Sequence, residues 1–130
     1  MEKIHDKDVN PDQLSPLALA FVGDTVFDLY IRELLVCGEK RRAGELHNSA
    51  VKCVKAKAQS DLVHTLLPML TEKELSVFKR GRNAHTNHIP RSASQREYHN
   101  ATGLEALIGW LYLSGQIQRI KELLSVVSAE

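Results

Sequence analysis

The chain has 130 residues, 43% hydrophobic and 25% charged, with a formal net charge of +1. That is one domain's length, enough to bury a core without disulfide or metal staples, and too apolar for a disordered chain. Its longest charge-free stretches, Gln13 to Gly23 and Ala106 to Gln118, fall short of the roughly 20 residues needed to span a bilayer.

The N-terminal "MEKIHDKDVNPDQ" is polar and mixed in charge, unlike a secretory signal or a transit peptide, so a cytoplasmic protein with no membrane partner is expected. Ser15 before Pro16 reads as an N-cap with proline in the first turn, and Gly38 after Cys37 as a stop. Between them Leu19, Val22, Val26 and Leu29 step at the helical period. Beyond the basic turn "GEKRRAG", Leu46, Ala50, Val51 and Val54 mark a second amphipathic helix, running on, with a bend, into "AQSDLVHTLLPML" until Pro68 weakens it. Thr71 with Glu74, and Ser94 with Glu97, match the capping box and open helices over 72–85 and 95–113. Gly115 ends the latter, and "QIQRIKELLSVV" forms a last helix. No segment alternates like a strand. The expected fold is all-α, a bundle of about six helices around two unusually apolar ones, forming a single domain over residues 1–130. Cys37 and Cys53 belong to no CxxC or Cys/His cluster and read as buried reduced thiols.

Charge is segregated along the chain. Lys40, Arg41, Arg42, Lys52, Lys55 and Lys57 face only Glu45 between positions 40 and 57, while Lys79, Arg80, Arg82, Arg91 and Arg96 surround the polar loop "HTNHIPRSAS". Two acids stand out against this pattern. Asp24 lies inside "LALAFVGDTVFDLY", where Asp28 is the other acid, and Glu105 is the single acid of "NATGLEALIGWLYLSG"; each sits on an otherwise apolar stretch with glycine close by. A helical glycine costs roughly 1 kcal/mol against alanine and calls for a reason such as close helix contact. An ionised carboxylate among hydrocarbon costs several kcal/mol without a partner. Three alternatives account for such acids: Asp24 as an N-cap at a break beside Gly23, pairing with a buried arginine, or acceptance of a tyrosine hydroxyl.

Core helices of one domain usually touch, which would set Asp24 against Glu105, and two facing carboxylates raise each other's pKa unless a cation sits between them. Oxygen ligands suit Mg²⁺, with Mn²⁺ able to substitute. Mg²⁺ beside basic surface fits a phosphodiester substrate, whose phosphoryl oxygen it would polarise while steadying the leaving oxygen.

"ALAFVGDTVFDLYI" resembles the ribonuclease III signature helix, and "TGLEALIGWLYLSG" resembles the second acidic helix of that family. With "KRGRNA", and without a following double-stranded-RNA-binding domain, the sequence is most similar to the Mini-ribonuclease III branch. The resemblance implies a homodimeric, all-helical endoribonuclease that uses Mg²⁺ to cut double-stranded RNA, leaving 5′-phosphate ends and maturing precursors of large-subunit ribosomal RNA. It makes Asp24 and Glu105 the catalytic metal ligands. Full-length relatives carry a further Glu four residues before the aspartate and an Asp three before the glutamate. Here Ala20 and Thr102 stand there, Thr102 with a hydroxyl that could orient a water. One ordered metal, with a second recruited by RNA, is the expectation.

Candidate RNA contacts are Lys79, Arg80, Arg82, Asn83 and Arg91, with His47 and Lys52 approaching from the second helix. Aromatic residues make up only 5% of the chain, too few for a base-stacking platform. Tyr98, Trp110 and Tyr112 read as core. The apolar surface of the signature helix is the candidate dimer interface, since cutting both strands requires two centres. The competing reading is a catalytically degenerate domain of the same fold that binds ribosomal RNA and cuts nothing. A helical protein adaptor would leave the basic clusters unexplained.

Overall fold

In the computed structural model, which describes residues 3–38, 56–84 and 94–127, all helical and turn elements are local in origin. A 3₁₀ turn over Pro11–Gln13 leads into α1 (Pro16–Cys37), followed by α2 (Ala56–Leu66), a 3₁₀ turn over Leu67–Met69, α3 (Glu72–Arg82), α4 (Gln95–Leu113) and α5 (Ile117–Leu124). No strand occurs among the described residues. The helix expected over 46–54, together with Cys53, lies outside them.

The caps form as the sequence predicts. The Ser15 hydroxyl accepts from the Ala18 amide at 3.1 Å. Both capping boxes close reciprocally, Thr71 with Glu74 and Ser94 with Glu97. At the end of α4, Gly115 takes φ +76°, its amide donating to the Tyr112 carbonyl and that of Gln116 to the Leu111 carbonyl. This Schellman arrangement requires a left-handed residue that glycine adopts without a Cβ clash. Glu74 serves twice: inside its capping box it also takes a two-point ion pair from Arg119, with both contacts at 2.8 Å. The guanidinium and the Thr71 amide hold its carboxyl below the usual range.

α4 is the axis of the molecule. Every residue from Asn100 to Leu111 is buried except Glu105, as befits a helix that is apolar all round. α1 crosses it, burying Leu19, Ala20, Gly23, Phe27, Ile31 and Leu35, a face that advances by four. This corrects the stepping read from sequence: Leu29 is 46% exposed, and Val22 and Val26 are half-buried. Cys37 is exposed, not buried. Trp110 is core, its indole N–H donating to Asp12 at 2.9 Å, while Tyr98 and Tyr112 are half-buried.

Candidate active site

Glycines bring the two acids together. A Cβ built on Gly23 would penetrate the Glu105 carbonyl oxygen and lie 2.8 Å from the Gly109 amide nitrogen. One on Gly109 would strike the Leu19 carbonyl group and fall 3.1 Å from the Gly23 nitrogen. α1 and α4 therefore cross backbone against backbone, closer than any side chain at these positions would permit. Asp24, the residue after Gly23, and Glu105, four before Gly109, are held at the rim of that crossing. α1 runs unbroken through Gly23, which disposes of the N-cap alternative.

The two carboxyl groups have unlike surroundings. Asp24 is exposed, so it is not sunk in hydrocarbon as its neighbours in sequence suggested. Glu105 is the half-buried member and is pushed up to about 8. Burial is the main cause, followed by a hydrogen bond with Asp24 and the Asp24 charge. A single opposing contact comes from Gln59 on α2, whose amide donates to Glu105 at 3.3 Å and favours the ionised form. Among the described residues neither acid forms an ion pair with Lys, Arg or His, and no third His, Cys, Asp or Glu completes a metal-holding group. Two adjacent carboxylates with no cationic partner are the donor set a hard divalent cation takes.

The ribonuclease III domain family matches residues 17–116, from the start of α1 to the turn before α5. The chain belongs to the ribonuclease III family. Within it, the Mini-ribonuclease 3 of Symbiobacterium thermophilum is 44% identical over 119 residues, covering 92% of this chain and 92% of that protein. The Mini-ribonuclease 3 of a Thermoanaerobacter species is 44% identical over 113 residues, covering 87% and 80%. A crystal structure of a Fusobacterium nucleatum protein superposes with a TM-score of 0.86 at 31% identity, covering 94% of this chain and all of that one.

Where the resemblance placed additional acids in ribonuclease III relatives, this chain has packing residues. Ala20 is 7% exposed in the α1–α4 interface. Thr102 is 6% exposed, and its hydroxyl donates to the Tyr98 carbonyl at 3.0 Å. That bond commits its only proton to its own helix, which leaves the hydroxyl its acceptor lone pairs alone for orienting a water.

The basic residues divide between two surfaces. Lys79, Arg80 and Asn83 line an open groove of about 640 Å³ with Pro16 and Ser76, while Arg82 turns away over the Phe78 ring at 5.7 Å. Arg80 and Arg82, two apart on the helix, face nearly opposite ways. Arg91, His47 and Lys52 lie outside the described residues.

Gln59 is the residue that sequence reasoning missed. It is 3% exposed, and the neighbouring Ser60 accepts from Asn100 at 2.9 Å, locking α2 against α4 beside Glu105. A neutral amide inside "KAQSD" gives no sequence signal. Gln59→Leu should preserve the fold but weaken divalent-metal binding about tenfold, the order of effect when a carboxylate ligand loses its outer hydrogen bond. Mn²⁺ titration would check this; an unchanged affinity would show that Gln59 only packs.

Proposed function

We propose that this chain is a Mg²⁺-dependent endoribonuclease that cuts double-stranded RNA as a cytoplasmic homodimer and trims precursors of large-subunit ribosomal RNA. Membership of the ribonuclease III family makes it an endoribonuclease. The observation that carries the metal-dependent reading is the Asp24–Glu105 pair, set together by the Gly23/Gly109 crossing with no Lys, Arg or His among the described residues paired to it.

In this reading Asp24 and Glu105 hold the divalent cation, and Gln59 fixes the Glu105 oxygens from behind. The bound ion supplies Lewis-acid polarisation of the scissile phosphoryl oxygen and stabilisation of the leaving oxygen. Asp24, the exposed member, presents the solvent-facing edge of the site, while Glu105 anchors it to the central helix. With only two carboxylates at the site among the described residues, one ion is held without RNA; two tight ions per chain would contradict this.

Lys79, Arg80 and Asn83 supply phosphate contacts, with Arg91, His47 and Lys52 as further candidates. Such contacts give affinity that falls steeply with salt and carries little sequence information. A duplex read by shape and 2′-hydroxyls suits a surface poor in aromatics. Support for the dimer comes from α1, which exposes Phe21 at 81%, Leu17 at 44% and Val36 at 49%. Apolar side chains concentrated on one helix signal an interface, and a two-fold axis would set two centres at fixed spacing for the two strands.

The loss of two family acids at Ala20 and Thr102 keeps a second reading in play, a non-cleaving ribosomal RNA binder. Incubation of wild type, Asp24→Asn and Glu105→Gln with a long RNA duplex and Mg²⁺ separates them. Cleavage by wild type, with a loss of at least about a hundredfold in each variant while all three still bind the duplex, is expected; removing a group that stabilises transition-state charge has effects of that order. Binding without cleavage by wild type would establish the degenerate reading.

A further inference from the structure

α2, α3 and the first turns of α4 enclose a cleft of about 210 Å³. Arg82, Arg96, His64 and His99 line it, with Asn100 and the Phe78 ring, and no carboxylate does among the described residues. Four side chains that carry or can acquire positive charge thus converge on one small space. Arg96 makes no ion pair among the described residues. Arg82 lies over Phe78, and among the described residues its Nε reaches only the neighbouring Asn83 side chain, at 3.3 Å.

The second observation is an orphaned atom. Nδ1 of His99 is sealed from solvent and has no hydrogen-bond partner among the described residues. A buried polar atom left unpaired is destabilising, and in native structures such atoms are usually satisfied by a water, ion or ligand. Here the surrounding charge selects an anion. Guanidinium groups match the geometry of phosphate oxygens, and an imidazole N–H adds a donor. The volume is below the roughly 300 Å³ at which pockets for drug-sized ligands begin, so it suits a single phosphate group and not a base.

Two of its walls, α2 and α4, also carry Gln59 and Glu105. His64 follows Gln59 by five residues on α2, and His99 precedes Glu105 by six on α4. At 1.5 Å rise per residue these separations are about 8–9 Å along the helices, within reach of one nucleic-acid strand.

We propose that this cleft is a phosphate subsite, formed by Arg82, Arg96 and His99, that grips the RNA strand about two helical turns along α4 from Glu105. The strand as occupant rests on the double-stranded-RNA reading above; the phosphate chemistry does not.

Two measurements on the full chain test it. In the first, metal-free duplex RNA binding is followed through a salt series for wild type and Arg96→Ala. Exposed Arg96 can be truncated without touching the core, and the expected result is a five- to tenfold loss of affinity. The slope of log affinity against log salt should fall by roughly 0.7–0.9 for the lost phosphate contact, with Mn²⁺ affinity unchanged. Wild-type affinity and slope in the variant would overturn the proposal. In the second, the ¹⁵N-labelled His99 ring is observed by NMR while duplex RNA or inorganic phosphate is added. A shift on RNA addition supports the strand subsite. A shift with inorganic phosphate alone would assign the cleft to free phosphate and overturn the strand as its occupant, and no shift with either would overturn the site. Should wild type bind no duplex at all, the RNA reading falls by itself, and the inorganic phosphate arm still decides whether the cleft takes phosphate.

Discussion

Gly23→Ala should destabilise the protein by about 3 kcal/mol or more and abolish divalent-metal binding, although alanine is the better helix former. The intrinsic gain is roughly 1 kcal/mol. Against it stands a methyl group that must share space with the Glu105 carbonyl and approach the Gly109 amide to 2.8 Å. These are backbone atoms that no rotamer change can move, so relief requires α1 and α4 to separate. Overpacking of this kind costs about 1–3 kcal/mol even where neighbours can adjust. Separation also pulls Asp24 from Glu105, which couples fold and site in one substitution. Gly38→Ala is the control: its added Cβ would lie 3.3 Å from the Leu34 carbonyl oxygen, and a small change in stability is expected. Chemical denaturation of the two variants, with Mn²⁺ titration of the folded fraction, measures both effects. A Gly23→Ala protein as stable as Gly38→Ala would refute the backbone-contact crossing.

Glu105→Gln should make the metal-free protein more stable at alkaline pH while removing its activity. In the folded chain the Glu105 carboxyl titrates at about 8, against 4.5 for an unperturbed glutamate. Between those values the unfolded chain has released a proton that the folded chain still holds. Linkage then requires stability to fall as pH rises from about 4.5 to about 8 and to level off above. The slope is at most about 1.4 kcal/mol per pH unit for one group. Glutamine carries no such proton, so the variant should draw ahead of wild type across this window, by a few kcal/mol at pH 8. Added Mg²⁺ should reverse the order, because a cation stabilises only the folded state able to bind it. Thermal unfolding of both proteins from pH 5 to pH 9 without metal gives the comparison; parallel curves would show that Glu105 ionises freely.

What the sequence made legible was local. Ser15, Thr71/Glu74, Ser94/Glu97 and Gly115 mark helix ends through contacts spanning a few residues, and all are observed. The two acids were legible as chemically misplaced, since each breaks an apolar run. The buried face of α1 was harder to read. With apolar residues on all sides of "LALAFVGDTVFDLY", periodicity does not separate the Val22/Val26/Leu29 side from the Leu19/Gly23/Phe27 side. Close approach at Gly23 decides it, and that depends on where Gly109 falls, far along the chain. The same distance hides Gln59, an unremarkable amide until α2 packs against α4. It also hides the division of Arg82 from Lys79 and Arg80, which share a basic run in sequence and line different clefts in space.

The central claim is that one divalent cation is shared by Asp24 and Glu105. Calorimetric titration of the metal-free protein with Mn²⁺, without RNA and in buffers of different ionisation enthalpy near pH 7, tests it directly. One site per chain is expected, with close to one proton released as Glu105 ionises to accept the ion, and binding should be lost in Asp24→Asn and in Glu105→Gln. Binding that persists unchanged in both variants, or that releases no proton, would contradict the shared site.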